Sequence, residues 1–148
     1  MSNLVFNVAL GRVAALAALP AANDALVAVP LEAAGLVTDA AMRDYDDLAT
    51  LLAGASNEQT SMGRKVLASV TVTVDDAADR VAIDCADITW TAATGNAVGA
   101  VVICYDPDTT TGTDADLIPL TKHDVSVTPD GNNFSLTVAD FYRATSAA

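Results

Sequence analysis

Between residues 79 and 130 the chain alternates short β-branched apolar runs with Gly, Pro, Asn and Asp. That punctuation is what successive strands joined by turns require, and it limits the fold more than any other stretch. Val81, Ile83 and Cys85 are spaced by two, so they share one strand face. Ile88 and Trp90 repeat the spacing, but the step from Cys85 to Ile88 is odd. A bulge or break near Ala86 and Asp87 therefore returns both sets to the same face. Residues 98–105 are almost wholly apolar, as in a central strand covered on both sides. A polar loop follows over 106–116, then short strands over 117–120 and 124–127. Thr128-Pro129-Asp130-Gly131 reads as a turn. Trp90, the single tryptophan, belongs in the core.

The remaining segments supply fewer constraints. Residues 4–19 are compatible with helix through their alanines or with strand through their valines. Residues 25–31 read as a strand whose Pro30 suits an edge or a strand end. Thr38 can cap a helix over about 39–52, with Ala41, Tyr45, Leu48 and Leu52 on one stripe and Gly54 as the stop. Residues 64–74 alternate as a strand, with Val66, Ala68, Val70, Val72 and Val74 on one face. A last strand covers 134–138, and the alanine-rich tail at 144–148 docks or frays. The expected fold is α+β and β-rich. An antiparallel sandwich or rolled sheet spans 64–138, with one main helix packed beside it, all within a single domain over 1–148.

Composition narrows the partners. The net charge is −12, which repels phosphate and argues against nucleic acid and anionic membrane. No run reaches the roughly 18 to 20 apolar residues of a membrane span. Residues 4–19 lack the basic start of a signal peptide, so no cleavage is expected. Hydrophobic residues make up 52% of the chain but aromatics only 5%, so the core is assembled mainly from Ala and Val. Two cysteines, Cys85 and Cys104, are too few for a disulfide framework, and buried free thiols are the expectation.

Catalytic constellations are not evident. The one histidine, His123, precedes Asp124, but adjacent strand residues point to opposite faces and no nucleophile accompanies them. It reads as structural or solvated. Two Cys and one His fall short of a zinc site. Asp106, Asp108, Asp114 and Asp116 flank an oxygen-rich loop of the kind hard cations favour. The EF-hand pattern fails there, because Thr111 stands where its glycine belongs and Leu117 where its glutamate belongs. The reading is therefore of no enzyme, no cofactor and no metal.

Several strings resemble one family. The run I-T-W-T-A-A-T-G-N-A-V-G-A-V-V-I-C-Y-D-P-D-T-T-T-G-T-D-A-D-L-I-P-L-T-K-H-D at 88–124, V-T-P-D-G at 127–131, F-N-V-A-L-G-R-V-A at 6–14, A-A-N-D-A-L-V-A-V-P-L at 21–31 and D-Y-D-D-L-A-T-L-L-A at 44–53 resemble small virion proteins of tailed bacteriophages. The resemblance implies a capsid decoration role. The chain would be made in the host cytoplasm, bind the major capsid protein on the outside of the shell, and stabilise it. A tail or fibre component, or a module binding carbohydrate or a receptor on the host surface, is the alternative.

Two expectations about contacts accompany that role. Leu4, Phe6, Val8 and Leu10 alternate with other residues at the chain start, so residues 1–10 form either an extended arm touching the capsid or a sister subunit, or a strand of the domain's own sheet. The Ala/Val surplus favours a homo-oligomer, with a trimer matching the threefold positions of an icosahedral shell.

Overall fold

The longer strands fall where β-branched runs lie between turn residues, and the computed structural model describes residues 3–146. Among these, ten strands occur in chain order. They are β1 (Asn3–Val5), β2 (Ala25–Glu32), β3 (Lys65–Val66), β4 (Thr71–Asp75) and β5 (Arg80–Asp84), then β6 (Ile88–Trp90), β7 (Val98–Asp106), β8 (Ile118–Val127), β9 (Phe134–Leu136) and β10 (Tyr142–Thr145). Three short helices accompany them: α1 (Val13–Ala17), α2 (Asp39–Met42) and α3 (Leu48–Ala53). The strands form a five-stranded sheet in the order β1-β8-β7-β2-β3, a three-stranded sheet β10-β5-β4, and the pair β6-β9. Every pairing is antiparallel.

β7 is the spine of the large sheet. Val101, Val102, Ile103 and Cys104 are buried in succession. Successive strand residues face opposite ways, so both faces of β7 are covered. The core joins residues of all three sheets with Phe6, Val13, Met42, Leu48 and Leu51. Each fully buried side chain of this kind stabilises by about 1.5 to 3 kcal/mol relative to exposure.

The predicted break at Ala86 and Asp87 is present and divides β5 from β6, with Ile83, Cys85, Ile88 and Trp90 all buried. Trp90 is a core residue. Its indole stacks on Phe134 with centroids 5.5 Å apart, and its Nε1–H donates to the Gly63 carbonyl at 2.9 Å. Pro30 lies within β2, on the side away from β7. There its carbonyl accepts from Gln59 N–H, Glu32 N–H donates to Asn57, and Leu26 accepts from Leu67. The missing proline N–H costs no bond to β7.

Three expectations need correction, and a fourth, left open between two outcomes, is decided. The single helix over 39–52 is two short helices. Thr38 caps α2 as expected, accepting from Ala41 N–H at 3.4 Å. Asp47, however, caps a new start, accepting from Thr50 N–H at 2.7 Å. Asp side chains compete for backbone N–H groups, and Asp47 does so here, while the Asp44 carboxylate is taken by the Asn7 side-chain amide. The buried positions are Met42, Leu48 and Leu51.

The continuous strand over 64–74 is instead β3, a break, and β4. Leu67, not Val66, enters the core, and Ser69 takes a positive φ of 54°. The two strands expected over 117–120 and 124–127 are one strand, β8, with an irregular register opposite Ile103 and Cys104. Finally, Ala144 and Thr145 do not fray; they pair with Val81 and Arg80. The rest of the expected tail, residues 147 and 148, lies outside the described residues.

Candidate functional site

Leu4, Phe6, Val8 and Leu10 do not share an extended arm. β1 pairs with β8, Leu4 opposite Lys122, so the segment serves the domain's own sheet. Phe6 N–H donates to Leu120 O at 3.1 Å, and Phe6 is fully buried. The chain then coils through a 3₁₀ turn over Asn7–Ala9, which turns Val8 partly inward. Only Leu10 is presented, with 62% of its surface exposed. Residues 1 and 2 of the expected arm lie outside the described residues.

Two other large apolar side chains stand in solvent, Val66 at 66% and Val74 at 69% exposure. The alternating pattern placed both on one apolar face. Both lie on strands at sheet edges, β3 and β4, where the covering layer ends. Their exposure was not readable from alternation alone, because period two says which residues share a face and not whether that face is covered.

The charged residues singled out in sequence hold loops together. Arg64 donates through Nε and Nη2 to both Glu58 oxygens at 2.7 Å, and through Nη1 and Nη2 to Asp114 at 2.6 and 3.0 Å. The bonds to Glu58 and then Asp114 raise the guanidinium pKa, and Arg64 holds the Asp114 carboxyl below its usual range. This double fork staples the 106–116 loop to the 55–64 loop. Asp108 is occupied by Thr110 and Thr111, and Asp116 by Thr113. Asp106 accepts from Asp108 N–H. Asp106, Asp108 and Asp116 thus serve their own turns while Asp114 serves the staple, and among the described residues no three His, Cys, Asp or Glu side chains gather as a metal site would need.

His123 faces a cleft of about 300 Å³ with Cys85, Ile103, Leu136, Val138 and Phe141 among its walls. Its Nε2 lies 2.9 Å from Thr121 Oγ1, and its ring meets Phe141 edge-on at 6.4 Å. Burial, then the Lys122 charge, lowers its pKa. Lys122 is on the opposite face and only 3% exposed. Its ammonium bonds Asp39 at 2.7 Å and also Asp124. Burial pulls the lysine pKa down, but those two carboxylates more than offset it. Lys122 therefore ties β8 to α2. Sequence alone flagged the T-K-H-D string for its histidine and missed the lysine, since the Asp39 partner lies 83 residues away.

Cys85 and Cys104 are buried free thiols, as expected. Burial first, with help from Asp84 and Asp87, pushes Cys85 up to about 11. Among the described residues, no helix is long and apolar enough to cross a membrane. No family model matches the chain, and neither a curated protein nor a solved structure matches it. Among the described residues, the exposed large apolar side chains are Leu10, Val66 and Val74, the last two on edge strands.

Proposed function

We propose that the chain is a non-enzymatic structural protein of a tailed-phage particle, binding the outside of the capsid shell through the major capsid protein and stabilising it. The observation that carries this reading is the resemblance of the 88–124 run, with the shorter strings at 6–14, 21–31, 44–53 and 127–131, to small virion proteins of such phages. The architecture supports it. Three antiparallel sheets around one core make a rigid, sandwich-like block, and adhesion to a repeating shell calls for a rigid block. The commitments of Arg64 and Lys122 support it as well: each ties together segments distant in sequence. Leu10, Val66 and Val74 are exposed apolar points able to lose water at an interface.

A structural role of this kind works through the shell and not through chemistry. Binding the assembled shell and not its separated subunits stabilises the shell by mass action. The test is heat or osmotic challenge of capsids with and without the purified chain. Capsids carrying it should release their DNA at a higher temperature. An unchanged release temperature at saturating chain would overturn the stabilising role.

A further inference from the structure

We infer that β4 is a self-recognition edge, through which two copies of the chain pair antiparallel about a two-fold axis at Thr73. The inference stands whether or not the chain sits on a capsid.

An edge strand invites another strand unless it is short, charged, bulged or covered. The other edges are guarded. β1 and the β6-β9 pair present three residues per strand, and β3 presents two. β10 carries Arg143, which holds Asp140. The outer side of β2 is occupied by Asn57, Gln59 and Leu67. β4 is the least guarded of the edges. Its five residues, Thr-Val-Thr-Val-Asp, contain no Lys, Arg or Pro, and its register with β5 runs without a shift. Its one charge, Asp75, is at the end and faces Arg80 at 3.4 Å.

A second copy fits this edge. In an antiparallel ladder, directly opposed residues are both hydrogen-bonded or both not. A homotypic pair must therefore place its two-fold axis at a residue, and Thr73 is the one that uses all five. Thr73 then faces Thr73 of the second copy, Val72 faces Val74, and Thr71 faces Asp75. No like charges are opposed, and Thr–Thr and β-branched pairs are favourable cross-strand neighbours. Val72 packs against the core while Val74 is left exposed. In the pair, each exposed Val74 meets the Val72 of the other copy, so the apolar face continues across the axis. The net charge of −12 opposes association. That repulsion is screened within about 8 Å at physiological salt, so added salt should tighten the pair. The product is a two-fold dimer, in place of the trimer expected from shell symmetry.

The test uses the full chain in sedimentation velocity from micromolar to submillimolar concentration, with Thr73→Lys beside it. Thr73 is exposed on the face away from the core, so the lysine is tolerated by the fold but sets two ammonium groups against each other. The expected result is a dimer that Thr73→Lys weakens by about tenfold or more, with unchanged circular dichroism. Thr73→Cys should also oxidise to a covalent dimer, whereas Thr71→Cys should not, since opposed Thr71 positions are separated by roughly 13 Å along the strands. If Thr73→Lys fails to fold, the cysteine pair decides. A chain monomeric throughout, a dimer indifferent to Thr73→Lys, or equal cross-linking at both positions overturns the inference.

Discussion

The indole N–H of Trp90 donates to the carbonyl of Gly63 at 2.9 Å, joining residues 27 apart in sequence. Gly63 takes a φ of +73° there, a conformation that suits glycine. The bond fastens the 55–64 loop to the same core that buries the indole. Trp90→Ala should therefore destabilise by about 3 to 5 kcal/mol. Trp90→Phe keeps most of the ring but leaves the carbonyl unpaired, and should cost about 1 to 3 kcal/mol. Chemical denaturation of both variants checks the order.

Arg64 makes the second long-range staple, reaching Asp114 across 50 residues. Its side chain is 29% exposed, and those of Glu58 and Asp114 are 14% and 37% exposed. Solvent screens part of the interaction, so Arg64→Ala should cost roughly 1 to 3 kcal/mol, between surface and buried pairs. Arg64→Lys should recover only part of it, because an ammonium can reach two carboxylates but lacks the planar fork that meets both oxygens of each. Thermal unfolding of the two variants measures both effects. Proteolysis should also open the 106–116 loop first in Arg64→Ala.

The parts of this fold that sequence announced are those set by local spacing. The odd step between Cys85 and Ile88 required the break at Ala86 and Asp87, and the apolar run over 98–105 required a central strand. Trp90 had to be buried because the chain has little else of its size. What escaped depended on distant partners. Thr121 and Lys122 looked like the polar gap between two strands, yet both are buried within β8. Asp39 and Asp124 make that burial tolerable by pairing the lysine. For Leu4 and Phe6 the sequence left an outward arm and a strand of the domain's own sheet both open, because the β8 edge that takes β1 is more than a hundred residues away. The candidate surface was the least legible part. Alternation grouped Val66 and Val74 on one face, but it did not show that both stand exposed on edge strands.

His123 predicts a pH dependence. Its pKa in the folded chain lies below its ordinary value, chiefly through burial and then through Lys122. The unfolded chain therefore takes up the proton first as pH falls, so stability declines below about pH 6.5. Asp124 on its own strand opposes the shift, and Asp140 also lines the cleft. His123→Gln should flatten the stability profile between neutral pH and about pH 5.5. The decline expected at lower pH from Asp114, whose folded pKa is depressed mainly by Arg64, should persist. Urea midpoints across this range distinguish the two.

The thiols predict slow labelling. Cys104 is fully buried and Cys85 nearly so, and burial raises both pKa values. A thiol-specific reagent at neutral pH should modify neither at an appreciable rate until the chain unfolds, since the thiolate is the reactive form. Rapid labelling of Cys85 in the native state would show that the cleft beside His123 opens readily.

The central claim is that this chain decorates a capsid, and cryo-electron microscopy of shells tests it most directly. Tailed-phage capsids of the kind the proposed function implies, prepared without the chain, are incubated with the purified protein and imaged. The account predicts added density at symmetric positions on the outer surface, with the five-stranded sheet recognisable and contacts to the major capsid protein. A shell that stays bare at saturating protein, or density confined to the tail, would contradict it.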